Sequence, residues 1–348
     1  MLSSRIEHKW IESFVRTFTI CKIEPGATVA IVSESTSRQQ NVQLAELALL
    51  RMNARPFHLV LPSPPQSIDV PVRSSGASDA LTGQAAALAA MKASTMVVDL
   101  TIEGLLHSRE AQEVLAAGSR ILYVSNEHPE ILERLGPDPA LKNTVARSVD
   151  RLRQAKTMRI SSPTGTDLSV NVVDARIGGG WGAVDAPGQL GHWPGGLVAA
   201  YPMGGAVNGT VVLSPGDINL TFKRYLETPV VLTIETDQIV SVEGDGLDAQ
   251  LMRSYFAAWN DDNAYYTSHL GWGVNPTARW DSMTMYDRGD HNGVEQRAFA
   301  GNFLFSTGAN KHANRYTLGH FDIPMKNCTV LLDDSLVVRE GVLQPEFV

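Results

Sequence analysis

The stretch Thr317 to Met325, Thr-Leu-Gly-His-Phe-Asp-Ile-Pro-Met, holds the pattern with the plainest chemistry, His320-Phe-Asp322. In extended backbone, residues two apart point to the same face. An imidazole nitrogen of His320 and a carboxylate oxygen of Asp322 can therefore converge on one point, with Phe321 packed on the other side. That point suits a divalent metal, and a second imidazole would complete a face of three ligands. Two histidines and one carboxylate with the opposite face open is the arrangement of non-haem Fe(II) oxygenases. A His-x-Asp tripeptide alone recurs by chance, so its surroundings must decide its meaning.

Three further histidines have a context worth reading. His269 lies in Ser268-His-Leu-Gly-Trp-Gly-Val-Asn-Pro276. Glycines 271 and 273 and the Asn-Pro turn signal read as a site loop, or equally as a histidine ending a helix. His192 lies in Gly188-Gln-Leu-Gly-His-Trp-Pro-Gly-Gly196. That stretch reads as a close-fitting loop walled by Trp193 around a planar ligand, or as a turn with Trp193 in the core and His192 on the surface. His107 follows an apolar strand pattern and precedes Ser108, a helix N-cap signal. Ligands of open parallel sheets gather beyond the carboxyl ends of strands, which makes His107 an acid/base candidate. A solvated loop histidine is the competing reading. His312 reads as surface loop and His291 as part of an acidic turn. No nucleophile elbow, P-loop or HExxH is present.

The elements that must position these residues fall into two textures. From Ala27 to Ala155, short β-branched runs alternate with helical spacing. Strand patterns at Ala27–Val32, Pro56–Leu61, Thr95–Leu100 and Arg120–Ser125 alternate with helical stretches up to Pro139–Ala155. Such alternation predicts a mostly parallel sheet with helices on both faces. The loop after the first strand, Ser33-Glu-Ser-Thr-Ser-Arg38, lacks the glycines of a dinucleotide site, so the domain is Rossmann-like without the dinucleotide motif. Beyond Lys156, strands at 158–172, 210–213, 219–222 and 230–242 are separated by Gly, Pro and Asp turns. A long helix, Leu247–Trp259, precedes a polar aromatic stretch. This predicts an α/β domain over residues 1–155 and an α+β domain over 156–348 that carries the metal site.

Bulk composition narrows the field. The 348 residues carry 29 basic and 37 acidic side chains, a net charge of −8 without a basic run, which disfavours a nucleic-acid partner. No secretory signal is visible in Met1–Val15, and no apolar run reaches membrane-spanning length. Cys21 and Cys328 lie far apart without a CxxC and read as buried thiols in a reducing cytoplasm.

Thr267–Pro276 and Leu318–Met325 together resemble segments of 2,5-dihydroxypyridine 5,6-dioxygenases, bacterial Fe(II) enzymes of nicotinate breakdown. The likeness extends to Gln189–Pro202, to the two-domain layout and to nearly the full length. These enzymes are distantly related to thermophilic metallo-aminopeptidases, and the differences from those are informative. Where the aminopeptidase pattern has a ligand Glu in Pro-x-x-Glu-Val, this chain has Leu197 in Pro194-Gly-Gly-Leu-Val198. His269 replaces a Glu, and Leu304 falls where a ligand His is expected. The resemblance implies Fe(II) held by His269, His320 and Asp322, and 2,5-dihydroxypyridine and O2 as substrates. It further implies opening between C5 and C6 to N-formylmaleamate, with His107 as first candidate for the base and His192 as second base or hydrogen-bond donor. Trp193 and Trp272 are expected to wall the aromatic ring, and a homo-oligomer is expected. The alternative is a metallo-aminopeptidase-like hydrolase.

Overall fold

The computed structural model describes residues 5–65, 68 and 78–347. The first half alternates strand and helix. Helix α1 (His8–Ile20) leads into β1 (Thr28–Glu34), α2 (Gln39–Arg51), β2 (Arg55–Leu61), α3 (Ala85–Lys92) and β3 (Met96–Leu100). Then come α4 (Glu110–Ala116), β4 (Arg120–Val124), α5 (Pro129–Arg134) and α6 (Pro139–Gln154). Strands β1, β3 and β4 are buried at nearly every position because helices cover both faces of their sheet. Helix α6 starts where Pro139 supplies a preset φ and the Asp138 carboxylate accepts the Ala140 N–H at 2.8 Å.

After α6 the strands, β8 apart, pair antiparallel, and several of them alternate buried with exposed. They are β5 (Thr157–Ser161), β6 (Asp167–Asn171), β7 (Arg176–Gly180), β8 (Leu190–Trp193), β9 (Leu197–Tyr201) and β10 (Val207–Leu213). A two-strand ladder, β11 (Ile218–Asn219) and β12 (Arg224–Tyr225), precedes the hairpin of β13 (Val230–Glu235) and β14 (Gln238–Glu243). Helix α7 (Leu247–Trp259) then leads to β15 (Thr267–Gly273), α8 (Val294–Ala298), β16 (Phe303–Thr307) and β17 (Asp322–Met325). The chain ends with β18 (Thr329–Leu332), β19 (Ser335–Arg339) and β20 (Val342–Leu343).

Three larger sheets result. The parallel sheet has the order β2-β1-β3-β4-β8. An eight-stranded sheet runs β14-β13-β10-β6-β5-β18-β19-β20, and a five-stranded antiparallel sheet runs β17-β16-β15-β9-β7. Strand β8 is the informative one. It lies beyond residue 155 yet pairs parallel with β4, Tyr123 opposite His192, before the chain turns into β9 of the antiparallel sheet. The parallel sheet thereby borrows its fifth strand from the second half.

Contacts across the halves are polar and buried. Arg134 grips Glu295 with two bonds of 2.6 and 2.8 Å. The Glu127 carboxylate accepts the Asn292 and Val294 N–H groups at 2.7 and 3.0 Å. Both cysteines are free and buried, as expected. Among the described residues, no helix is long and apolar enough to cross a membrane.

Candidate active site

A cavity of about 290 Å³ lies where the parallel sheet meets the five-stranded sheet. His107 and His192 reach it from the parallel sheet, and His269, His320 and Asp322 from the antiparallel one. Residues from four separate stretches of chain thus share one wall, and that volume sits at the small end of ligand pockets.

His269 is not in a loop or at a helix end. It sits within β15, buried, and the glycines beside it serve close packing. A Cβ on Gly271 would stand 1.9 Å from the Val198 carbonyl oxygen, and one on Gly273 would stand 2.2 Å from that of Phe299. Its proton position follows from counting hydrogens. The Ser268 hydroxyl donates its one hydrogen to the Ala309 carbonyl, so at 3.1 Å it can only accept from His269 Nδ1–H. Burial pushes the imidazole pKa down to about 4, against the pull of Asp322, so the ring is neutral near pH 7. Nε2 then presents a lone pair to Asp322 Oδ1 at 3.5 Å. Two acceptors face one another there, an arrangement that a cation between them would relieve.

Asp322 opens β17. Burial alone would raise its carboxyl pKa, but the Arg297 guanidinium and His320 beside it outweigh burial and hold it well below the usual carboxylate range. Arg297 Nε donates to Oδ2 at 2.5 Å, and the Ser306 hydroxyl donates to Oδ1. His320 Nε2 stands 3.2 Å from Oδ2, so the two-residue spacing does bring imidazole and carboxylate together. The His320 backbone is pinned on the far side. The Tyr255 hydroxyl accepts its N–H and donates to its carbonyl, each at 3.1 Å. Phe321 packs away from the cavity among Tyr255, Phe256 and Phe222.

The donor set of His269, His320 and Asp322 fits a divalent cation that accepts imidazole and carboxylate. Among the described residues, no three His, Cys, Asp or Glu side chains are already spaced as a closed metal cage. These three stand in contact with one another, and a cation would enter by replacing the contact of Asp322 with the His269 lone pair.

His107 caps the arrangement, its ring 6.0 Å from that of His269 and 5.9 Å from that of His320. Its loop is anchored by the buried Asp99. That carboxylate accepts the Thr101 N–H at 3.0 Å, the Thr101 hydroxyl at 2.7 Å and the Leu105 N–H at 2.8 Å. Burial, then the neighbouring imidazoles His320 and His269, hold the His107 pKa well below its ordinary value. His192 is a strand residue, half-buried at the cavity wall. Its Nδ1 donates to the Pro194 carbonyl at 2.6 Å, leaving Nε2 as an acceptor, and a Cβ on Gly180 would stand 2.8 Å from that nitrogen.

The tryptophans correct the sequence reading. Trp193 and Trp272 are fully buried in the core and absent from the cavity lining. Trp193 donates to the Leu135 carbonyl at 2.9 Å and packs against Phe14 at 4.9 Å. The aromatic ring at the cavity wall belongs instead to Tyr201, 5.2 Å from His269. Arg297, Ser306 and Tyr201 were not singled out in the sequence. Tyr201 lies within the resembling stretch Gln189–Pro202 and Ser306 two residues past Leu304, which is a usable signal; Arg297 offers none. His312, expected on the surface, is half-buried at the cavity wall 5.6 Å from Tyr201.

Known proteins resemble this chain over nearly its full length. A 2,5-dihydroxypyridine 5,6-dioxygenase from Pseudomonas putida KT2440 is 35% identical over 340 residues, covering 96% of each chain. A solved structure of 2,5-dihydroxypyridine dioxygenase from that organism superposes with a TM-score of 0.90 at 34% identity over 97% of each chain. AmpT from Thermus thermophilus shares the fold alone, with a TM-score of 0.56 at 16% identity over 96% of this chain and 98% of that one. The family model for 2,5-dihydroxypyridine 5,6-dioxygenase matches residues 9–345, and this chain belongs to that family.

Proposed function

We propose that the protein is an Fe(II)-dependent dioxygenase that opens 2,5-dihydroxypyridine between C5 and C6 with O2, giving N-formylmaleamate. The observation that carries the reading is the His269 lone pair facing the Asp322 carboxylate beside His320, at the wall of a small cavity. His269 Nε2, His320 Nε2 and Asp322 would hold the iron. Bound Fe(II) would supply electron transfer toward O2 and acidify the ring hydroxyl it holds.

The remaining work falls to side chains. Neutral His107, over the two ligand imidazoles, is the group set to take the proton of the 5-hydroxyl. His192 Nε2, an acceptor by its tautomer, is set to receive a hydrogen bond from the substrate; the donor role expected of it would require a second proton. Tyr201 offers the ring face that the tryptophans do not. Arg297 and Ser306 hold Asp322 ionised and oriented. The apolar Leu304, buried in β16, and Leu197 at the cavity wall offer no second metal a ligand, which favours this reading over a dinuclear hydrolase. Catalysis by a homo-oligomer in the cytoplasm completes the proposal.

The overall conversion adds both oxygen atoms of O2 to the ring, one to the new carboxylate carbon and one to the formyl carbon. Turnover under 18O2 tests this. Two labelled atoms in the product are expected, and an unlabelled product, its added oxygen drawn from water, would overturn it.

A further inference from the structure

The cavity face of β7 reads Arg176, Gly178, Gly180. Positions 177 and 179 point the other way, since Ile177 is in the core and a Cβ on Gly179 would meet Val145 of α6 at 2.6 Å. Gly180 lies against His192, Gly178 has nothing within 4 Å of its Cβ position, and Arg176 follows on the same face. At about 3.3 Å per residue, Arg176 stands about 13 Å along the strand from Gly180. Arg176 pairs in register with Tyr201, whose ring bridges His269 and His312. Lys311 and His312 complete this end of the wall.

This cluster lacks an acid. Among the described residues, neither Arg176 nor Lys311 has a hydrogen bond or ion pair from its side chain. The charged neighbour that Lys311 does feel is Arg176, and burial with this like charge lowers the Lys311 pKa. His312 is likewise depressed by burial, Lys311 and Arg176. The two carboxylates of the cavity lining stand elsewhere. Asp322 is committed to Arg297, and Glu103 sits near enough to Tyr123 and Tyr255 to raise their pKa values. Arg176 is exposed and Lys311 half-buried, so two like charges line the cavity beside an open glycine position with no counter-charge among the described residues, a place that an anion would complete.

We infer that Arg176 and Lys311 form a carboxylate-binding subsite at the outer end of the catalytic cavity, with Gly178 leaving the room for the ligand. The inference rests on the ring-opening reading for its ligand. Ring opening turns a nearly neutral heterocycle into a carboxylate, and a dihydroxypyridine already bearing a ring carboxylate would present the same group. The subsite takes that carboxylate whichever molecule carries it.

Isothermal titration of the anaerobic, Fe(II)-loaded enzyme with maleamate and with its neutral counterpart maleamide tests the charge recognition. The double variant Arg176→Gln/Lys311→Gln, checked for folding by thermal unfolding, should bind maleamate at least about tenfold more weakly, with maleamide changed by less than about twofold. Lys311→Arg should retain most of the maleamate affinity. Equal maleamate binding by wild type and double variant, or equal weakening of both probes, overturns the subsite. Kinetics then identify the source. A weakened inhibition constant for N-formylmaleamate points to product. A reduced kcat/KM for 2,5-dihydroxypyridine-3-carboxylate relative to the unsubstituted ring points to substrate, and no change in either overturns the inference. O2 uptake by the wild-type enzyme with 2,5-dihydroxypyridine is followed in parallel. Its absence alongside charge-dependent maleamate binding would refute ring opening and leave the subsite standing.

Discussion

Ser268→Ala isolates how the protein prepares a ligand nitrogen. The Ser268 hydroxyl has one hydrogen, and the Ala309 carbonyl takes it, which obliges His269 to carry its proton on Nδ1. Removing the hydroxyl frees the imidazole to place that proton on Nε2, where Asp322 Oδ1 waits 3.5 Å away. A proton would then occupy the place of the cation. Losing such an outer-sphere partner typically costs ten- to a hundredfold in metal affinity, or about 1.4 to 2.7 kcal/mol. The orphaned Ala309 carbonyl should cost about 1 kcal/mol of stability as well. Anaerobic competition against a chromophoric chelator reads the Fe(II) dissociation constant, and urea unfolding reads the stability. A folded variant that binds Fe(II) within twofold of wild type would refute the tautomer argument.

Three further outcomes follow from the same geometry. His107→Ala should keep its iron, measured by metal analysis, while losing most turnover; loss of the iron as well would make His107 a ligand and not a base. Arg297→Met strips a buried guanidinium from a buried carboxylate, a break that costs about 3 to 5 kcal/mol, readable by urea unfolding of the metal-free protein. A loss under about 1 kcal/mol would mean that Arg297 does not hold Asp322 ionised. Asp99 supplies a pH signature, because burial raises its pKa to about 6 from 3.8. Well below pH 3.8 both states are protonated and no cost arises. As pH rises toward 6 the unfolded chain ionises first, so the folded state loses about 3 kcal/mol, and that loss persists above pH 6. The stability difference between wild type and Asp99→Asn, followed by urea unfolding from pH 4 to 7, should drift by that amount against wild type; a flat difference contradicts it.

The sequence made the architecture legible where periodicity carried it. The buried β-branched runs of the parallel sheet and the helix Leu247–Trp259 stand where the pattern placed them. The pattern over 158–172 read as one strand, but Ser162-Pro-Thr-Gly165 turns it into a hairpin, Gly165 having a φ of +111°. The ladder of β8 with β4 had no local signal, since pairing of segments some 70 residues apart is decided by packing. Glycines misled around His269, because the spacing that marks a loop is also the spacing that lets two backbones pack closely. Trp193 and Trp272 misled for a related reason. An indole beside a histidine looks like a cavity wall, yet its large apolar area is more favourably placed in the core. His269, His320 and Asp322 were legible through resemblance, and their environment was not: Ser268, Ser306 and Arg297 act through hydrogen bonds that only the fold brings within reach.

Anaerobic reconstitution with Fe(II), followed by 2,5-dihydroxypyridine and a measured pulse of O2, tests the central claim most directly. The account predicts one tightly bound iron per chain, no reaction before O2, and then one O2 consumed for each ring opened to N-formylmaleamate. An iron-loaded enzyme that binds the ring but consumes no O2, or one that instead hydrolyses an aminoacyl anilide without O2, would contradict it.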